Sequence, residues 1–92
     1  MDELHDLFLH GKPARILVGI RRGKESKYAS VLSREANCTY SHTVKILNKF
    51  EDHGLIDFRK EGRKKLVKLT EEGQALARDV ESLIDSIEMA NS

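Results

Sequence analysis

Apolar residues along this chain recur first at intervals of three and four, then at every second position, then again at three and four. Between Lys12 and Arg22, Ile16, Leu17 and Ile20 fall on one side of a helix, and Pro13 sits where a first turn tolerates proline. Gly23 ends that pattern. A second helix is expected from about Lys27 to Ala36, burying Ala29, Leu32 and Ala36. Asn37 follows at the point where a helix end often needs the left-handed conformation. Thr39 then caps a third helix, Tyr40 to His53, closed by Gly54. Its apolar stripe is Thr43, Ile46, Leu47 and Phe50, at the spacing i, i+3, i+4, i+7.

From Leu55 to Lys60 the period becomes two, so Ile56 and Phe58 point one way while Asp57 and Arg59 point the other. Glu61-Gly62 predicts a tight turn, and Lys64–Leu69 returns as a second strand with Val67 and Leu69 inward. Residues 55–69 therefore read as a hairpin with a basic tip. Thr70 caps a last helix running to about Ala90, with Glu71 and Glu72 in the first turn, where the helix dipole favours anions. Leu76, Val80, Leu83 and Ile87 recur in that helix at spacings of four, three and four. This seam of less than two heptads is expected to pair with a second copy of the chain; packing against the chain's own first helix is the alternative. Leu4, Leu7 and Phe8, before Gly11, are expected to form a short apolar turn that joins the same interface.

Ninety-two residues make a single domain, 1–92, small enough to gain from a partner subunit. One cysteine excludes an intrachain disulfide, and no apolar run approaches the ~20 residues of a membrane span. Acids stand near the N-terminus where a signal peptide would be cationic, so the expected location is cytoplasmic, associated with the nucleoid. The net charge of +1 hides a strong segregation. Residues 1–11 hold three acids and no Lys or Arg, and residues 70–92 hold six acids against Arg78. Between them, residues 12–38 carry seven bases against two acids, and residues 39–69 carry eight against four. A basic middle between acidic ends presents one face to a polyanion and another to something else.

Two helices joined by a short turn and followed by a basic hairpin suit the reading of double-stranded DNA. With its stripe held to the core, the third helix turns Tyr40, Ser41, Val44, Lys45, Asn48 and Lys49 outward, with His42 at the border. Ser41 and Asn48 suit hydrogen bonds to base edges, Val44 a thymine methyl, and Lys45 and Lys49 phosphates or guanine. Thr39 and Tyr40, at the helix N-terminus, would hold a phosphate through backbone N–H groups. Lys60, Arg63, Lys64 and Lys65 would follow the neighbouring backbone, and Arg63 is the candidate for minor-groove insertion.

Leu32 through Gly73 resembles the helix-turn-helix and wing of the multiple-antibiotic-resistance-regulator (MarR) family. The resemblance rests on Leu32, on the turn Asn37-Cys38-Thr39, and on the helix end Phe50-Glu51-Asp52-His53-Gly54-Leu55-Ile56. Its more specific part is Glu61-Gly62-Arg63-Lys64-Lys65-Leu66-Val67-Lys68-Leu69-Thr70-Glu71-Glu72-Gly73. Glu61 stands where those regulators often carry aspartate, and the short chain looks like the small single-domain versions common in archaea. The resemblance implies recognition by the third helix, a wing arginine in or near the minor groove, and a homodimer on a palindromic site. The expected fold class is α+β, mostly α. It is a winged helix-turn-helix with the helix-turn-helix at 27–53, a two-stranded wing at 55–69 and a dimerisation helix at 70–90. The expected function is sequence-specific transcriptional regulation, by repression.

Other chemistries are thinly supported. Cys38 precedes a helix N-terminus, which favours a thiolate and a redox role, but a small buried hydrophobe filling the turn is the expectation. His5, His10, His42 and His53 lack metal-ligand spacing, and no nucleophile–base pair, phosphate loop or cofactor fingerprint appears. The expectation is a protein that is not an enzyme, with no metal, cofactor, membrane partner or small-molecule effector. The rival function is a winged protein-interaction module, which would carry an apolar or mixed patch where this chain carries lysines and hydrogen-bonding side chains.

Overall fold

The computed structural model describes residues 11–24 and 26–91. The expected apolar turn of Leu4, Leu7 and Phe8 lies outside these residues. The described order is α1 (Gly11–Arg22), β1 (Ser26–Tyr28), α2 (Ala29–Glu35), α3 (Tyr40–Asp52), β2 (Ile56–Glu61), β3 (Lys64–Leu69) and α4 (Glu71–Ala90). Gly11, expected to separate two segments, is helical. The core joins every element except β1. Ile16, Leu17 and Ile20 of α1 meet Leu32 of α2, Ile46, Leu47 and Phe50 of α3, Ile56, Val67 and Leu69 of the hairpin, and Ala77 of α4.

Local signals in the sequence account for most of these boundaries. Asn37 takes a φ of 51°, the left-handed turn between α2 and α3. The Thr39 hydroxyl oxygen accepts the His42 N–H at 3.1 Å, and the Thr70 oxygen accepts the Gly73 N–H at 3.0 Å. Cys38 is partly buried against the core, and its N–H donates to the Ser33 carbonyl at 2.9 Å.

Two departures from the sequence expectation shape the site. Residues 26–28 do not begin the second helix. They form an extra strand on the free edge of β3, pairing Ser26 with Lys68, Lys27 with Val67 and Tyr28 with Leu66. The sheet is thus three-stranded and antiparallel, in the order β1-β3-β2, and α2 starts only at Ala29. Lys24, at a φ of 60°, reverses the chain after α1 so that β1 can reach β3. The hairpin turn also lies one residue later than expected. Glu61 is still paired, with Lys64, so the loop is Gly62-Arg63. Gly62 has a φ of 61° at the first loop position, which a type II′ turn reserves for glycine. Arg63 thereby occupies the apex.

The four positions of the α4 seam divide between two environments. Leu76 and Val80 pack against the core of their own chain, whereas Leu83 and Ile87 are 61% and 52% exposed. Glu81, between these pairs, accepts from Arg21 Nε at 3.1 Å and Arg22 Nε at 2.8 Å, tying α4 to the end of α1. The two hydrogen bonds, from Arg22 and then Arg21, hold the Glu81 carboxyl below its ordinary range.

Thr43 is fully buried in the α3 stripe, and among the described residues its hydroxyl has no hydrogen-bond partner. A buried unsatisfied hydroxyl costs about 1–3 kcal/mol. Thr43→Val keeps the shape and removes that cost, so thermal denaturation of the variant should show stabilisation of about 1 kcal/mol. A less stable variant would mean that the hydroxyl is satisfied in solution.

Candidate nucleic-acid interface

α3 owes its outward face to the same residues that bury its inner one. With Thr43, Ile46, Leu47 and Phe50 all within the core, Tyr40, Ser41, His42, Lys45 and Asn48 are exposed, and Val44 and Lys49 are half-buried. Thr39, exposed at the N-cap, uses its oxygen lone pair on His42 and keeps its hydroxyl proton free to donate. The first N–H groups of α3 therefore open to solvent beside a hydroxyl donor, an arrangement suited to a phosphate.

The sheet register sorts the wing's cations onto two faces. Cross-strand partners share a face, so Lys60 and Lys65 lie directly opposite one another beside Phe58 and Val67. Like charges so placed repel, and Lys65 relieves part of this by lying with its Nζ 4.6 Å from the centroid of the Phe58 ring. On the other face Glu61 opposes Lys64. Lys60, Arg63, Lys64 and Lys65 are all exposed.

Ion pairing takes up part of the positive charge: among the described residues Arg21, Arg22 and Lys27 are paired, while Arg34, Arg59, Lys68 and Arg78 are not. Arg21 and Arg22 bind Glu81, Arg22 also approaches Asp85 at 4.0 Å, and Lys27 binds Glu35 at 2.8 Å. Among the described residues, Lys45, Lys49, Lys60, Arg63, Lys64 and Lys65 have no such acidic partner. The expected DNA-facing set thus falls on α3 with its N-cap and on the wing tip.

A residue outside that set adjoins it. A groove of about 520 Å³ runs between the start of α1 and α3, lined by Lys12 and Pro13 on one wall and by His42, Lys45, Ile46 and Lys49 on the other. Sequence spacing gives no sign that Lys12 stands beside α3, because the juxtaposition is made only by packing α1 across the core. Among the described residues, no group of three or more His, Cys, Asp or Glu side chains is arranged to hold a metal. No described helix is long and apolar enough to cross a membrane.

Comparison with known proteins agrees with this geometry. Residues 20–80 match the family described as the DUF6293 C-terminal winged helix domain. An uncharacterized protein of Archaeoglobus fulgidus is 31% identical over 90 residues, covering 95% of each chain. The crystal structure of a protein from Archaeoglobus fulgidus superposes with a TM-score of 0.76 at 30% identity, covering 84% of this chain and 88% of that one. The DNA-binding protein Sso10a-2 of Sulfolobus solfataricus has the same fold, with a TM-score of 0.70 at 20% identity over 89% of this chain and 86% of its own. So does a MarR-family transcriptional regulator of Rhodococcus, with a TM-score of 0.78 at 24% identity; the match covers 90% of this chain but 60% of that regulator.

Proposed function

The chain belongs to the family of the DUF6293 C-terminal winged helix domain, and from that premise we propose that it binds double-stranded DNA sequence-specifically as a homodimeric transcriptional regulator, acting by repression. The observation that carries this reading is the clustering on α3 and the wing tip of cations that have no acidic partner among the described residues, with Lys60 and Lys65 directly opposed. A phosphate between or beside those two lysines would turn their repulsion into attraction. Similarity to a DNA-binding protein and to MarR-family regulators supports the same conclusion.

In this reading α3 enters the major groove. Ser41, Val44 and Asn48 meet base edges, while Tyr40, His42, Lys45 and Lys49 meet edges or phosphates. Arg63, at the wing apex, reaches the minor groove, and Lys60, Lys64 and Lys65 follow the backbone. The protein performs no catalysis, and its place is in the cytoplasm, on the nucleoid.

The homodimer rests on α4. Its 20 residues span about 30 Å, and the core covers only the first half. Leu83 and Ile87 then continue as an exposed apolar edge, with Met89 at 78% exposure beyond them. Reading two half-sites requires this pairing to set the two α3 helices about one DNA turn, ~34–36 Å, apart. Selection from randomised duplexes should therefore return a palindrome with half-sites at that spacing; recovery of single half-sites, or of no preferred sequence, would count against the reading. Leu83→Asp with Ile87→Asp should give a monomer in sedimentation equilibrium with little change in circular dichroism. A dimer that survives both changes would move the interface elsewhere.

A further inference from the structure

Tyr28 belongs to none of the residues assigned to DNA above, yet it touches both ends of the pair that closes the wing. The sheet register explains how. Tyr28, the last residue of β1, sits opposite Leu66, which in turn sits opposite Arg59. Glu61 and Lys64 form the rung two residues nearer the tip, so they project from the same face as Tyr28. The phenol is long enough to bridge that interval. Its Oη donates to Glu61 Oε2 at 2.9 Å, and Lys64 Nζ lies 5.0 Å from the centre of its ring.

These contacts fall where the backbone gives least support. β1 stops at Tyr28, level with Leu66, so beyond that rung the sheet is a two-stranded ribbon. Such a ribbon is marginal alone and gains from a third strand. Tyr28 extends the reach of the third strand by one side chain, as far as the residues that flank the Gly62-Arg63 loop.

Charge makes the contact matter for binding. Glu61 is the only acid between Phe58 and Leu69, a stretch that holds six lysines and arginines. A carboxylate loose at the apex would neutralise Arg63 or Lys64, or face the phosphates itself. Tyr28 gives it a neutral donor instead, and the phenol is correspondingly held above its ordinary pKa by its hydrogen bond to Glu61.

We infer that Tyr28 is a positioning residue of the wing: by binding Glu61 and lying against Lys64, it fixes the tip and keeps the carboxylate away from the cations that meet DNA. This deepens the DNA-binding reading and rests on it.

The test compares wild type, Tyr28→Phe, and Tyr28→Phe with Glu61→Gln in duplex binding across salt, using fluorescence anisotropy. Freeing Glu61 to occupy one cation removes one phosphate contact per wing. The Tyr28→Phe slope of log K against log salt should then be shallower by about 0.9 per wing, with affinity about tenfold weaker per wing at 0.1 M salt. Adding Glu61→Gln should restore the slope, a rescue that loss of stability alone would not produce. A Tyr28→Phe variant that binds like wild type, or a loss that Glu61→Gln leaves unrepaired, overturns the inference.

Spectrophotometric titration of the phenols separates this failure from that of the underlying reading. Tyr28 should ionise at higher pH than in the Glu61→Gln variant, whether or not DNA is bound. Equal titration in the two proteins would remove the contact itself. A wild type that binds no duplex would overturn the DNA reading and, with it, the role given to Tyr28.

Discussion

Replacing Gly73 by alanine is expected to destabilise this domain more than any other single methyl addition. Gly73 lies in the first turn of α4, and a Cβ there would overlap the carbonyl oxygen of Leu55. It would also stand 2.9 Å from the Leu55 carbonyl carbon and 3.2 Å from Leu69 Cδ2. The obstacle is backbone, so no flexible side chain can swing aside. The same Leu55 oxygen accepts the Thr70 N–H at 3.0 Å, and the Thr70 hydroxyl donates to the Gly54 carbonyl at 2.6 Å. Helix and loop are thus fixed together at Thr70, three residues before the glycine.

Overpacking of this kind costs about 3 kcal/mol, at the upper end of the usual range. A domain of this length is held by roughly 5–14 kcal/mol in total. The melting temperature should fall by about 12–24 °C, read by far-ultraviolet circular dichroism. A fall of less than about 4 °C, the shift expected for 1 kcal/mol, would mean that α4 can lift away from Leu55 at little cost. The glycine that follows Leu69 and Thr70 in the sequence is therefore a packing requirement.

Removing the wing cations is expected to give the largest loss of binding without loss of fold. Arg63 occupies the apex, and Lys65 faces Lys60 across the strands; both are exposed. Their truncation removes no core contact, although Lys65 gives up its place over Phe58. Each phosphate contact contributes about 0.9 to the slope of log K against log salt. Arg63→Ala with Lys65→Ala should therefore make the slope shallower by about 1.8 per wing. At 0.1 M salt the affinity should fall by about a hundredfold per wing. An unchanged slope with an unchanged melting temperature would take the wing out of the interface and leave α3 to bind alone.

What the sequence disclosed was governed by short-range chemistry. The α3 stripe from Thr43 to Phe50, the left-handed Asn37, the threonine caps and the alternation of Ile56 and Phe58 each depend on neighbours within a turn or a rung. The outward face of α3, and so most of the candidate site, followed from that stripe. The strand at Ser26–Tyr28 was not legible, because its partners are Leu66, Val67 and Lys68, far along the chain. Three residues of mixed character carry no period of their own; the open edge of β3 makes them a strand. The turn was displaced by one residue because Glu-Gly resembles a loop pair, while the glycine is needed at the first loop position.

The α4 spacing illustrates a different limit. Leu76, Val80, Leu83 and Ile87 form one continuous seam in sequence, yet the first two pack on the chain's own core and the last two do not. Periodicity gives the face of a helix, but where the body of the domain stops depends on how α1 crosses α4. Lys12 and Tyr28 were missed for the same reason, since each reaches the wing or α3 only through tertiary packing.

The most direct test of the central claim is the affinity of the wild-type protein for a random-sequence duplex, measured by fluorescence anisotropy over a range of salt. Binding through α3 and the wing predicts measurable affinity at low salt and a linear fall of log K with log salt, with a slope equal to several phosphate contacts. Absence of binding at low salt, or an affinity indifferent to salt, would contradict the account and leave the cationic face to a partner other than DNA.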